Sequence, residues 1–223
     1  LSPEVREQIA GLAVFQDGGR SEDFADVLFS EGSLWQRMVQ LLKKSRPIDK
    51  NTQSEKICRE LIKTGLAQMV GEYGYVRFDP ALAAYLDLGL TDEQRAAYRA
   101  RWLEVMWQLL GVLLQQRFKD TKLSAQLTQQ ELPNLMAYLQ SLVTDLQAGG
   151  GSTEAVVGQL GKVERLLEKL NQPQTLAQVV VWREQAVQSL EEWSVYQFES
   201  ECLSVERMLQ QGNLQVASEL ARR

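Results

Sequence analysis

The sequence predicts a mainly α-helical fold, interrupted by one small β-hairpin and ending in paired helices. Three observations carry that expectation. Apolar residues recur at three- and four-residue intervals along most of the 223 residues, the spacing that gathers them on one side of a helix. A single convincing β signal, at 66–78, has two short runs around a glycine-bearing turn. Near the C-terminal end, helical segments pair around two turns about forty residues apart, within the range of helical hairpin repeats.

The elements follow in order. Ser2, Pro3 and Glu4 place a cap, a first-turn proline and an acid at the start of a helix expected to run through Phe15. Asp17, Gly18 and Gly19 are read as its end. Ser21, Glu22 and Asp23 start a short second helix carrying Phe24, Val27 and Leu28. A third is expected at 34–44, with Trp35, Met38, Val39, Leu41 and Leu42 on its buried side, before Pro47 breaks the chain. A fourth covers 53–64, and Gly65 stops it. Then come strands at 66–70 and 75–78 around the turn at 71–74, and Pro80 opens a helix through Leu88. Helices followed by a small hairpin outline a winged-helix domain.

Thr91 and Gln94 form a capping box, each able to satisfy an orphan donor of the other. The helix it opens runs to about Phe118, with Tyr98, Trp102, Val105, Leu109 and Val112 on one apolar edge and Met106, Leu110 and Leu113 on a second. Pro133 is placed in the first turn of a further helix bearing Leu135, Leu139, Leu142 and Leu146. Gly149, Gly150 and Gly151 read as a hinge, because three glycines cannot sustain a helix cheaply. Beyond them, 154–170 pairs with 175–190, and 193–211 pairs with 214 onward. The expected organisation is a winged-helix domain at 1–90, a helical connector at 91–148 and helical hairpin repeats at 149–223. The chain starts without methionine and stops in a helical pattern, so a fragment with a truncated array is expected.

Composition narrows the class. Apolar residues make up 44% and charged residues 24%, close to globular averages. The longest uncharged apolar stretch, 105–116, is short of the roughly 20 residues a membrane span needs. Residues 1–4 lack a basic region leading into an apolar one, so no signal peptide is read. Cys58 and Cys202 lie far apart and match no metal or disulfide framework, which suits two thiols in a reducing cytoplasm.

Catalysis finds little to stand on. The chain has no histidine, which removes Ser-His-Asp and Cys-His nucleophile systems and histidine-based metal sites. Gly161 and Lys162 are the nearest approach to a phosphate loop, but Val156 stands where the first glycine belongs and Val163 where a hydroxyl belongs. The glycines at 149–151 follow a helix, whereas a phosphate cradle follows a strand. Acidic pairs such as Glu191 and Glu192, or Glu199 and Glu201, are adjacent or on solvated faces. No catalytic residue, cofactor site or metal site is assigned, and the chain is read as no enzyme.

Charge is uneven. Residues 33–65 hold eight basic residues and three acidic ones, a local +5 in a chain of net charge −5, which leaves −10 for the rest. On the fourth helix Lys56, Arg59 and Lys63 fall within about 60° of each other, opposite Ile57, Cys58, Leu61 and Ile62. In a winged helix such a face is where a recognition helix meets DNA. Glu60 shares the face, and no amide or aromatic side chain there reads bases. An acidic protein surface is therefore favoured over DNA.

Several of these stretches resemble a family. Residues 3–6 leading to Leu12, Ala13, Val14 and Phe15, the run 61–66, the turn at 71–74 and the run 75–82 are similar to the winged-helix module of STAND-class signalling ATPases, relatives of apoptotic protease-activating ATPases. Residues 131–135 resemble a motif just beyond that module, and the final hairpins resemble its tetratricopeptide-type sensor arms. The resemblance implies a regulated ATPase whose catalytic domain lies upstream. This piece would then be a joint and arm that transmit a conformational change, with an unidentified protein partner and an intramolecular contact to the upstream nucleotide-binding domain. Asp79 stands where the family often has a histidine that touches nucleotide. That departure favours a helix cap over nucleotide sensing at this position. The alternative reading is a winged-helix transcription regulator that binds DNA.

Overall fold

The computed structural model describes residues 6, 7, 9–29, 50–71, 74–190 and 193–222. The caps expected at Ser2, Pro3 and Glu4, the helix expected at 34–44 and the break at Pro47 lie outside them. The described residues are mainly helical, with one three-stranded antiparallel sheet. They form two compact units, Leu1–Leu109 and Leu110–Arg223. No helix among them is long and apolar enough to cross a membrane.

The first unit begins with helical residues 6, 7 and 9, which tighten into a 3₁₀ turn at Ala10–Val14. The sequence pattern predicts an α-helix through Phe15. A Cβ on Gly11 would come within 2.5 Å of the Tyr98 ring, so this turn lies hard against that side chain. Next comes a strand that sequence reasoning missed, β1 at Gly18–Arg20. It leads into α1 (Ser21–Phe29). After the undescribed stretch come α2 (Lys50–Lys63), β2 (Ala67–Val70), β3 (Tyr75–Phe78) and α3 (Pro80–Asp87).

The sheet order is β1-β3-β2, with Gly18 opposite Arg77 and Met69 opposite Val76. Thus the hairpin is tied back to the start of the unit. Arg77 donates to the Asp17 carboxylate at 3.0 Å, and Phe78 N–H to the Asp17 backbone oxygen at 2.8 Å. Phe24 is the centre of the small core, edge-on to Phe15 at 5.0 Å and stacked on Phe78 at 5.2 Å. Leu12, Phe24, Val27 and Leu86 are fully buried.

The long helix α4 spans Asp92–Lys119. Its capping box forms as expected: Thr91 N–H donates to Gln94 Oε1 at 3.0 Å, and Gln94 N–H to Thr91 Oγ1 at 3.2 Å. Trp102, Val105, Met106, Leu109, Leu110 and Leu113 are buried, but Val112, expected on the same edge, is 51% exposed. At 100° per residue Val112 lies about 160° from the fully buried Leu110, at the edge of the stripe, and reaches water.

In the second unit α5 runs from Thr121 to Gln147 and contains Pro133 in its interior. The sequence pattern places Pro133 in a first turn. The helix starts twelve residues earlier because Asp120 caps it, its carboxylate accepting from Leu123 N–H at 3.0 Å. Proline removes one hydrogen bond from a helix interior. The helix survives because Leu135, Tyr138, Leu139 and Val143 are buried along it. Gly149 and Gly151 adopt φ of 82° and 77° and turn the chain into α6 (Thr153–Leu167), which packs against α5. Then come α7 (Pro173–Gln188), α8 (Val195–Gln210) and α9 (Leu214–Leu220), with α6 paired to α7 and α8 to α9.

Candidate functional site

The basic face of α2 is built from its packed side outward. Helix α2 packs against α1 and β2. Ser54, Cys58 and Leu61 are buried against them, while Ile57 and Ile62 are half-buried. Burial pushes the Cys58 thiol up to about 11, partly offset by a backbone hydrogen bond. With that side sealed, Lys56, Arg59 and Lys63 are left exposed together. Arg59 Nε–H donates to the Glu55 backbone oxygen at 3.3 Å. Lys63 Nζ stands 4.0 Å from the Glu60 carboxylate, both side chains mostly in water. Such an exposed pair is worth little, about 0–1 kcal/mol, and yields readily to a stronger partner.

The end of α2 is locally determined. Gly65 takes φ 75°, Gly65 N–H donates to Ile62 O at 3.0 Å and Leu66 N–H to Leu61 O at 2.9 Å. That pair of bonds is a Schellman closure, which needs a left-handed residue. The cation of Lys63 in the last turn also sits well against the helix's negative end.

Asp79 is a cap. Its Oδ1 accepts from Ala81 N–H at 2.9 Å, Pro80 occupies the first position of α3, and Asp79 N–H donates to Leu66 O at 2.8 Å. Both its backbone and side chain thus hold the start of α3. The structure places Asp79 at the cap of α3 and the basic side chains on α2.

Sequence reasoning missed a buried ionic cluster in the second unit. Arg183 of α7 donates through Nε to Glu164 of α6 at 2.7 Å, and the two side chains are 1% and 3% exposed. Arg183 also donates to the Ser200 backbone oxygen at 3.1 Å and hydroxyl, and to Ser204 Oγ at 3.2 Å. Arg207 of α8 reaches the other Glu164 oxygen at 3.3 Å and Glu184 at 3.2 Å. One carboxylate therefore ties three helices together. The signal was present: Arg183 falls on the apolar stripe of Leu176, Val179 and Ala186, and Val-Glu-Arg occurs at 163–165 and again at 205–207. The two copies differ in fate, since Glu164 is buried and Glu206 exposed.

A cleft of about 400 Å³ in the first unit is lined by Arg6, Tyr85, Gln94 and Tyr98 among others. Arg6 is engaged there with Tyr85, lying 4.7 Å above its ring and donating to its backbone oxygen at 3.3 Å. Among the described residues no group of three His, Cys, Asp or Glu could hold a metal ion. Comparison with protein-family models, with curated proteins and with solved structures finds no match to this chain.

Proposed function

We propose that this chain is a non-catalytic regulatory and protein-interaction piece of a STAND-class signalling ATPase, with a winged-helix module followed by tetratricopeptide-like hairpins. The exposed cationic face of Lys56, Arg59 and Lys63, on a helix whose opposite side packs against α1 and β2, carries the reading. Three cations held apart from the core, tied loosely by Lys63 to Glu60 and by Arg59 to the Glu55 backbone oxygen, suit a reversible contact with an acidic protein surface. The protein's own nucleotide-binding domain in its resting state is the partner that fits a switch. Pairing of β1 with β3 supports the winged-helix assignment, because it binds the hairpin to the helices that precede it. The paired helices α6/α7 and α8/α9 support a repeat arm.

The rival is a transcription regulator, and a titration separates the two. The chain is mixed with random duplexes at 50 mM and 200 mM salt and binding is followed by fluorescence anisotropy. Three phosphate contacts give a log–log salt slope near −2.7, so weak binding at low salt falls roughly 40-fold over that interval. Specific readout is not expected, because Arg59 is the only arginine on the face and Glu60 stands beside it. Binding that persists at the higher salt and prefers some sequences would put the transcription regulator first.

A further inference from the structure

On α8, Val195, Phe198, Cys202, Val205 and Leu209 follow one another at three- and four-residue steps, the a/d spacing of a heptad. At 100° per residue they fall within about 80°. This is not the side that α8 turns toward α6 and α7. There Ser200 and Leu203 are buried, Leu203 lies against Gly161, and Arg207 reaches inward to Glu164. The stripe stands open: Val195 is 62% exposed, Phe198 56% and Leu209 50%, while Cys202 and Val205 are half-buried. Trp193 and Leu214, just outside the two ends of α8, are also 61% and 66% exposed.

The rim of the stripe says what covers it. Counting Val195 as position a, Glu199 and Glu206 are the e positions and both are exposed, and Glu201 is a g position. The one cation within α8, Arg207, is directed away to Glu164 and Glu184. Flanking e and g charges decide which helices pair along such a seam. Two copies of α8 would set acid against acid in either orientation, which disfavours self-pairing.

We propose that this stripe docks one amphipathic helix of a partner protein, apolar at its a and d positions and bearing lysine or arginine at e and g. Apolar a/d residues would close over Phe198 and Val195, and the cations would pair with Glu199 and Glu206. The inference stands on α8 alone and does not depend on the ATPase reading.

The test uses the whole chain and two labelled peptides of about four heptads. Both have leucine at a and d; one carries lysine at e and g, the other glutamate. Anisotropy should show saturable binding of the lysine peptide and at least about tenfold weaker binding of the glutamate peptide. Phe198→Asp should weaken the lysine peptide by about tenfold or more. Glu199→Lys with Glu206→Lys should reverse the preference. All three positions are exposed, so circular dichroism should show the fold unchanged. Equal binding of both peptides, binding indifferent to Phe198→Asp, no binding, or a dimer of the chain alone that Phe198→Asp dissolves would each overturn the proposal.

Discussion

Replacing Arg183 by alanine should destabilise the chain by about 3–5 kcal/mol, the cost of leaving a buried carboxylate without its closest partner. Glu164 is 3% exposed and sits 2.7 Å from Arg183 Nε. Arg207, its second partner, is farther away at 3.3 Å and shared with Glu184, so it cannot compensate fully. Ser200 and Ser204 would lose a donor as well. The double change Arg183→Leu with Glu164→Leu should recover most of the loss, because a buried ion pair seldom outperforms a well-packed apolar pair of similar volume. Urea unfolding of the two variants measures the difference. A loss below about 1 kcal/mol for the single change would mean that the cluster is solvated and weak.

The second large effect is expected at Gly18. Its φ is 136°, where side-chain-bearing residues are strained, and a Cβ would lie 2.0 Å from the Val76 backbone oxygen. Neither neighbour can yield, since Val76 O and Arg77 Cα belong to the paired strand β3. Gly18→Ala should therefore detach β1 and cost about 3 kcal/mol or more, combining backbone strain with overpacking. Gly65→Ala is the matched control. That glycine is also left-handed at φ 75°, but nothing stands within 4 Å of its Cβ position. It should cost only about 1 kcal/mol. Similar losses at the two sites would show that the contact with β3 is unimportant.

Gly18 also shows why the sequence was legible in some places and opaque in others. Local chemistry could be read directly. The Thr91–Gln94 box, the Gly65 stop, the Asp79 cap and the hairpin each depend on residues within a few positions, and each forms. Non-local pairing could not. Two glycines after a helix look like a stop, and only the partner strand, some sixty positions away, turns them into β1. Pro133 misled for a related reason. A proline most often marks a helix start, but burial along α5 outweighs one lost hydrogen bond. The ion cluster was hidden because charge on a helix usually means a wet face, and Arg183 and Glu164 become dry only once three helices meet. The exposure of Lys56, Arg59 and Lys63 was legible because it follows from the apolar pattern of the same helix.

Central to the proposed function is that this face meets an acidic protein surface in one nucleotide state and leaves it in the other. Acetylation footprinting of lysines in the full-length protein, with ADP and with a non-hydrolysable ATP analogue, reads those side chains directly. Lys119 and Lys122 are exposed in the second unit and serve as internal references. Labelling of Lys56 and Lys63 should fall several-fold in the ADP state relative to those references and recover with the analogue. Equal labelling of Lys56 and Lys63 in both states would contradict the switch.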